Sequence, residues 1–109
     1  AEARRAPLDV DVPRAPAFDE VEAMATHYAG FSRHAFPTCF VCGPARPAGD
    51  GLRIFPGRRA PEGLVASPWV PDESLCDDAG FVRAEHLWAS LDCAGYWGAA
   101  PAELPVALL

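Results

Sequence analysis

The longest apolar pattern in the chain runs from Val82 to Ala100, VRAEHLWASLDCAGYWGAA, and its period is helical. At about 3.6 residues per turn, one stripe carries Ala84, Leu87, Trp88, Leu91, Ala94, Gly95 and Gly98. The opposite stripe carries His86, Ala89, Ser90, Cys93, Tyr96 and Trp97, which is hardly a polar face. A helix that is apolar nearly all round has to be wrapped by other structure. The pattern therefore predicts a buried helix with one mid-helix carboxylate, Asp92, and with Leu87, Trp88, Leu91 and the small residues as packing positions.

Upstream, Asp19 and Glu22 have the spacing of a capping box that opens a helix. Val21, Met24, Ala25 and Tyr28 form its apolar stripe, and Gly30 is placed to stop it. From His34 to Asp50, Pro and Gly are frequent enough to predict a loop with a tight cysteine turn. Leu52 to Phe55 then reads as a strand ending near Pro56 and Gly57. Gly63 to Val70 reads as a second strand, with Pro68 marking a bulge or an edge, and the short link between them suits a hairpin. Residues 71–80 are turn-rich, Pro101 ends the long helix, and Leu104 to Leu109 begins another strand-like run. Residues 1–17 read as a flexible arm, and 18–109 as one domain. Two or three strands cannot wrap such a helix. Either a second chain completes the sheet, or the sequence is the front part of a longer protein; the apolar ending favours the second.

With 109 residues and 50% hydrophobic content, the chain supports one domain with a modest core. A net charge of −6 argues against a phosphate-tracking nucleic-acid binder. No apolar run reaches the roughly 20 residues of a membrane span, and no leader signals export, so the expected location is the cytoplasm. All nine basic residues are Arg and 12 residues are Pro, a bias that suits a GC-rich bacterial genome.

Cys39, Cys42, Cys76 and Cys93 allow three disulfide pairings, but Cys93 in mid-helix reads as a small hydrophobe. Cys39, Cys42 and Gly43 form a CxxCG knuckle, the shape of half a tetrahedral zinc site. His34, His27 or Cys76 would complete it; a reducible pair and a plain compact turn are the alternatives. No cofactor is expected beyond a structural zinc at this knuckle, which is one of those three readings.

The run CFVCGPARPAGDGLRIF resembles the pattern that opens many hotdog-fold thioesterases of the phenylacetyl-CoA type. LRIFPG, LVASPWVP and LWASLDCAGYWGA then follow in the order of that family's hairpin and helix. The likeness spans His34 to Leu109, the first half of such a domain. It implies an α+β fold, with an antiparallel sheet curled around one long central helix, incomplete in this chain, and homodimers or higher homo-oligomers. It also implies an acyl-CoA thioesterase, a hydrolase acting on acyl-CoA or another thioester, with no nucleic-acid or membrane partner.

On that likeness Asp92 is the nucleophile, or the general base on an attacking water, and His86 polarises the carbonyl. The N–H groups at Arg83 and Ala84 offer an oxyanion site, and Arg46, Arg53, Arg58 and Arg59 around the hairpin are either the contacts to the phosphates of coenzyme A or solvated strand-end arginines. Where the family often has His-Gly-Gly before the helix, this chain has Phe81, Val82, Arg83 and Ala84. Two other readings stand beside this one: a non-catalytic acyl-binding or dimerisation domain, and a small zinc-knuckle interaction module. Glu85 is accounted for by the helix dipole.

Overall fold

Val21 and Met24 are the buried positions of the first helix, α1 (Phe18–Ala25), as its apolar stripe predicts. The structure, a computed structural model, describes residues 7, 9–59 and 63–99. The helix starts two residues earlier than the expected Asp19 cap. Ala17 is the N-cap, and the Glu20 carboxylate accepts its backbone N–H at 3.3 Å. Ala17 has no side-chain acceptor to return the bond, so only half of a capping box forms. Asp19 and Glu20 instead lie in the first turn, where the helix dipole favours anions. The helix ends at Ala25, before Gly30, and a single 3-10 turn follows at Ala29–Phe31.

The hairpin sits further along the chain than the apolar run suggests. Strands β1 (Gly57–Arg59) and β2 (Leu64–Ala66) pair antiparallel, with Gly57 opposite Ala66 and Arg59 opposite Leu64. Leu52 to Phe55, expected as a strand, is not one. Arg53 has φ 54°, in the left-handed region that a regular strand excludes. The segment binds the cysteine turn instead, with Leu52 N–H donating to the Phe40 carbonyl and Ile54 N–H to the Val41 carbonyl, both at 2.8 Å. Gly57 lies against the last carbonyls of α1; a Cβ there would run into the Met24 carbonyl. The fold is thus α+β, with a two-stranded antiparallel sheet. The expected run at Leu104 to Leu109 and the hairpin tip at 60–62 lie outside the described residues.

After β2, the Asp72 carboxylate accepts the Ser74 N–H at 2.9 Å and opens a second 3-10 turn, Glu73–Leu75. Asp77 accepts the N–H groups of Ala79 and Phe81 at 3.0 Å each, and a bridge between Cys76 and Val82 leads into the long helix. That helix, α2 (Ala84–Ala99), is where the pattern predicts it. Among the described residues no helix is long and apolar enough to cross a membrane.

The core consists of Tyr28, Val41, Cys42, Leu52 and Ile54, with Cys39, Phe55, Trp69, Leu75, Ala89, Cys93 and Trp97 packed against it. Burying an aliphatic side chain such as Leu52 or Ile54 contributes about 1.5–3 kcal/mol. Helix α2 therefore docks through Ala89, Cys93 and Trp97, spaced four apart on the less apolar of its two stripes. The expectation of a buried helix needs correcting, because no residue of α2 is buried. Leu87, Trp88 and Leu91 are 45%, 75% and 66% exposed. The described residues cover one side of α2, and both stripes were apolar enough to be that side.

Tyr28, 2% exposed, is the centre of the core. Its ring stacks on Phe55 at 5.4 Å and meets the edges of Phe31 and Trp97 at 5.2 and 4.8 Å. Its hydroxyl donates to the Cys42 carbonyl at 3.1 Å. Tyr28→Phe keeps the ring and strands that buried carbonyl, so unfolding in denaturant is expected to show a loss of about 1–3 kcal/mol. An unchanged midpoint would show the hydrogen bond to be energetically idle.

Candidate functional site

Three sulfurs meet where α2 crosses the cysteine turn. The turn is built locally: Gly43 N–H donates to the Cys39 carbonyl and Ala45 N–H to the Pro37 carbonyl, both at 2.9 Å. A Cβ on Gly43 would collide with the backbone of Cys39 and Pro37, so the knuckle needs glycine there. Arg46 braces the turn from outside, with Nε donating to the Thr38 carbonyl at 2.8 Å and the guanidinium binding Asp50 at 2.9 Å. Docking of α2 then brings Cys93 to Cys39, Sγ to Sγ 3.9 Å. The Sγ atoms of Cys39, Cys42 and Cys93 all lie within 4.8 Å of one another, close enough to hold one metal ion. All four cysteines are free thiols.

His34 joins them, its Nε2 3.3 Å from Cys42 Sγ. The Phe36 N–H donates to His34 Nδ1 at 2.9 Å, so a neutral ring carries its proton on Nε2 and donates to the sulfur. Of the other residues expected to complete the knuckle, His27 is exposed and Cys76 sits elsewhere, its Sγ 4.0 Å from the Asp72 carbonyl. Cys93 is the residue that sequence reasoning missed. Its signal was its place on one stripe with Ala89 and Trp97, across from a knuckle lacking two ligands.

The electrostatics of the group are those of one shared negative charge. The Cys42 thiol is pushed down from its ordinary range, chiefly by a hydrogen bond from the Cys93 thiol, with Tyr28, His34 and Trp97 adding to it against burial. The Cys93 thiol is pushed up by the same bond and by burial. The Tyr28 hydroxyl is also pushed up, first by burial and then by its hydrogen bond to Cys42.

The other expected site residues are not assembled into one place. Asp92 is exposed on the outer side of α2, rather than buried. His86 is half-buried six residues earlier, about 9 Å along the axis and about 120° around it. It accepts from Arg83 at 3.4 Å.

The arginines bind the protein itself. Arg53 donates to the Arg46 carbonyl at 2.7 Å and lies over the Phe55 ring at 5.0 Å. Arg58 donates to the Trp97 and Gly98 carbonyls at 3.1 and 3.3 Å, capping the end of α2. Arg59 pairs with Glu20 at 3.8 Å. Arg83 donates to the Ser74 carbonyl at 3.0 Å and pairs with Glu85 at 3.4 Å. The Arg83 backbone N–H, expected to face an oxyanion, donates to the Leu75 carbonyl at 3.1 Å. Ala84 beside it is exposed. The arginines expected to meet coenzyme A phosphates thus hold the cysteine turn, the first turn of α1 and the end of α2.

No family model matches the chain, and no curated protein or solved structure is significantly similar to it.

The shared charge sets a pH dependence in metal-free protein. Thiolate absorbance in the ultraviolet is expected to persist well below the ordinary thiol value of 9.0. Cys93→Ala removes the strongest donor to the Cys42 thiolate, so that titration moves upward in pH. A titration unmoved by the substitution would rule out the shared proton.

Proposed function

We propose that the chain is part of a hotdog-like domain that hydrolyses an acyl-CoA or related thioester, with Asp92 as general base or nucleophile. Support comes from the cysteine-turn pattern, from the order of turn, hairpin and helix, and above all from where Asp92 stands. It shares the outer side of α2 with Trp88 and Leu91, which are 75% and 66% exposed. A carboxylate among uncovered apolar side chains is what a curled sheet would enclose together with an acyl chain. Enclosure would desolvate the carboxylate and raise its basicity toward that of a working general base. In this reading the protein acts as a homodimer or larger assembly, and any zinc at Cys39 and Cys42 serves structure.

A second reading, acyl or coenzyme A binding without turnover, draws on the separation of His86 from Asp92 and on the engagement of Arg53, Arg58, Arg59 and Arg83 with the protein. Steady-state hydrolysis of a panel of aromatic and aliphatic acyl-CoA thioesters separates the two. Turnover on at least one member is expected, with kcat/KM falling about a hundredfold or more in Asp92→Asn. Asn keeps the shape of Asp, so the substitution is expected to leave the fold intact. Absence of turnover, or a variant as active as the parent, sinks the catalytic reading; tight binding without turnover establishes the second.

A further inference from the structure

We infer that Cys39, Cys42 and Cys93 together bind one zinc ion, with His34 as a positioning residue that donates to the Cys42 sulfur. The site shares no catalytic or substrate-binding residue with the thioester reading, and its test is separate from that of hydrolysis.

The spacing fits the ion. Thiolates at about 2.3 Å from a tetrahedral zinc stand about 3.8 Å from each other. Cys39 and Cys93 are already 3.9 Å apart, and the third sulfur lies within 4.8 Å of both. Closing the set needs shifts of up to about an ångström at Cys42, within the freedom of a χ1 rotation. Three soft thiolates select zinc over hard cations such as magnesium or calcium.

The surroundings fit the charge. Three thiolates on a divalent ion carry one net negative charge, and Cys42 is 3% exposed. A buried charge of that kind needs donors on the sulfurs. His34 Nε2–H supplies one at 3.3 Å. The tautomer decides the role of His34. A ligating imidazole usually donates through its other nitrogen, whereas His34 Nδ1 accepts the Phe36 N–H. His34 thus holds the sulfur and leaves the metal alone, and the fourth tetrahedral position is left for a water molecule. On binding, the thiol protons pass to solvent and the three Zn–S bonds replace S–H bonds, with no change of oxidation state.

The ligand order carries a consequence for the fold. Cys39 and Cys42 come from one turn and Cys93 from α2, 54 residues away from Cys39. The ion ties the helix to the turn.

The test is metal analysis of the full chain purified reduced and without chelator, followed by titration of the apoprotein with Co2+. One zinc per chain is expected. The Co2+ form should show tetrahedral d–d bands, with sulfur-to-cobalt charge transfer of three thiolates. Cys93→Ser should lower that intensity by about a third and weaken zinc binding about tenfold or more. Cys76→Ser should change neither. His34→Ala should keep one metal per chain and move the charge-transfer band to lower energy, because an unbonded thiolate is the better electron donor. An octahedral cobalt spectrum without charge transfer overturns the site, as does a Cys39–Cys93 disulfide in the reduced preparation or a Cys93→Ser variant that binds like the parent. Loss of metal in His34→Ala overturns its assignment as a donor. The wild-type cobalt spectrum counts thiolates on its own, so the test holds even where a variant fails to fold.

Discussion

A phenol hydroxyl meeting a backbone carbonyl holds this molecule in register. Tyr28 donates to the Cys42 carbonyl and is closed in by Phe55, Phe31 and Trp97. That one side chain touches the exit of α1, the cysteine turn, the segment after it and the inner stripe of α2. A hydrogen bond buried this deeply has a strict geometry, and the groups around it inherit that geometry. The positions of Cys42 and of Trp97 follow from where the Tyr28 ring can lie.

The sequence was informative where one face of an element was clearly apolar. Val21, Met24 and Tyr28 were legible as core positions because their polar neighbours left one choice. Helix α2 was legible in extent, within two residues, but not in orientation. Its two stripes differ too little in hydrophobicity for pattern to rank them, and docking uses Ala89, Cys93 and Trp97 rather than Leu87, Trp88 and Leu91. The strand expected at Leu52–Phe55 was lost to a backbone fact that residue type conceals: Arg53 adopts a left-handed conformation that is rare outside glycine. The knuckle at Cys39 and Cys42 was visible as spacing, whereas Cys93 was hidden by an average, since cysteine in mid-helix usually only packs.

The arginines teach a related lesson. Positive charge around a hairpin suggested a phosphate site, yet Arg53, Arg58, Arg59 and Arg83 are each bonded to backbone carbonyls or to a carboxylate. In a chain without lysine, arginine has to supply every structural cation, including the caps of helix ends. Guanidinium groups suit that work because one planar fork can satisfy two carbonyls at once. Here the count of positive charges reported on architecture before it reported on any ligand.

The long reach of α2 also sets an order of events in folding. The turn, the segment after it and the hairpin join residues close in sequence, while the Cys39–Cys93 contact spans 54 residues. Closing a loop of that length costs on the order of 3–4 kcal/mol in chain entropy. Helix α2 repays this through one stripe alone, without a fully buried residue. Without the zinc ion it is therefore the element expected to dock last and to come away first. In metal-free protein local opening is then expected as a peeling of α2 from the turn, with amide exchange running ahead in the helix.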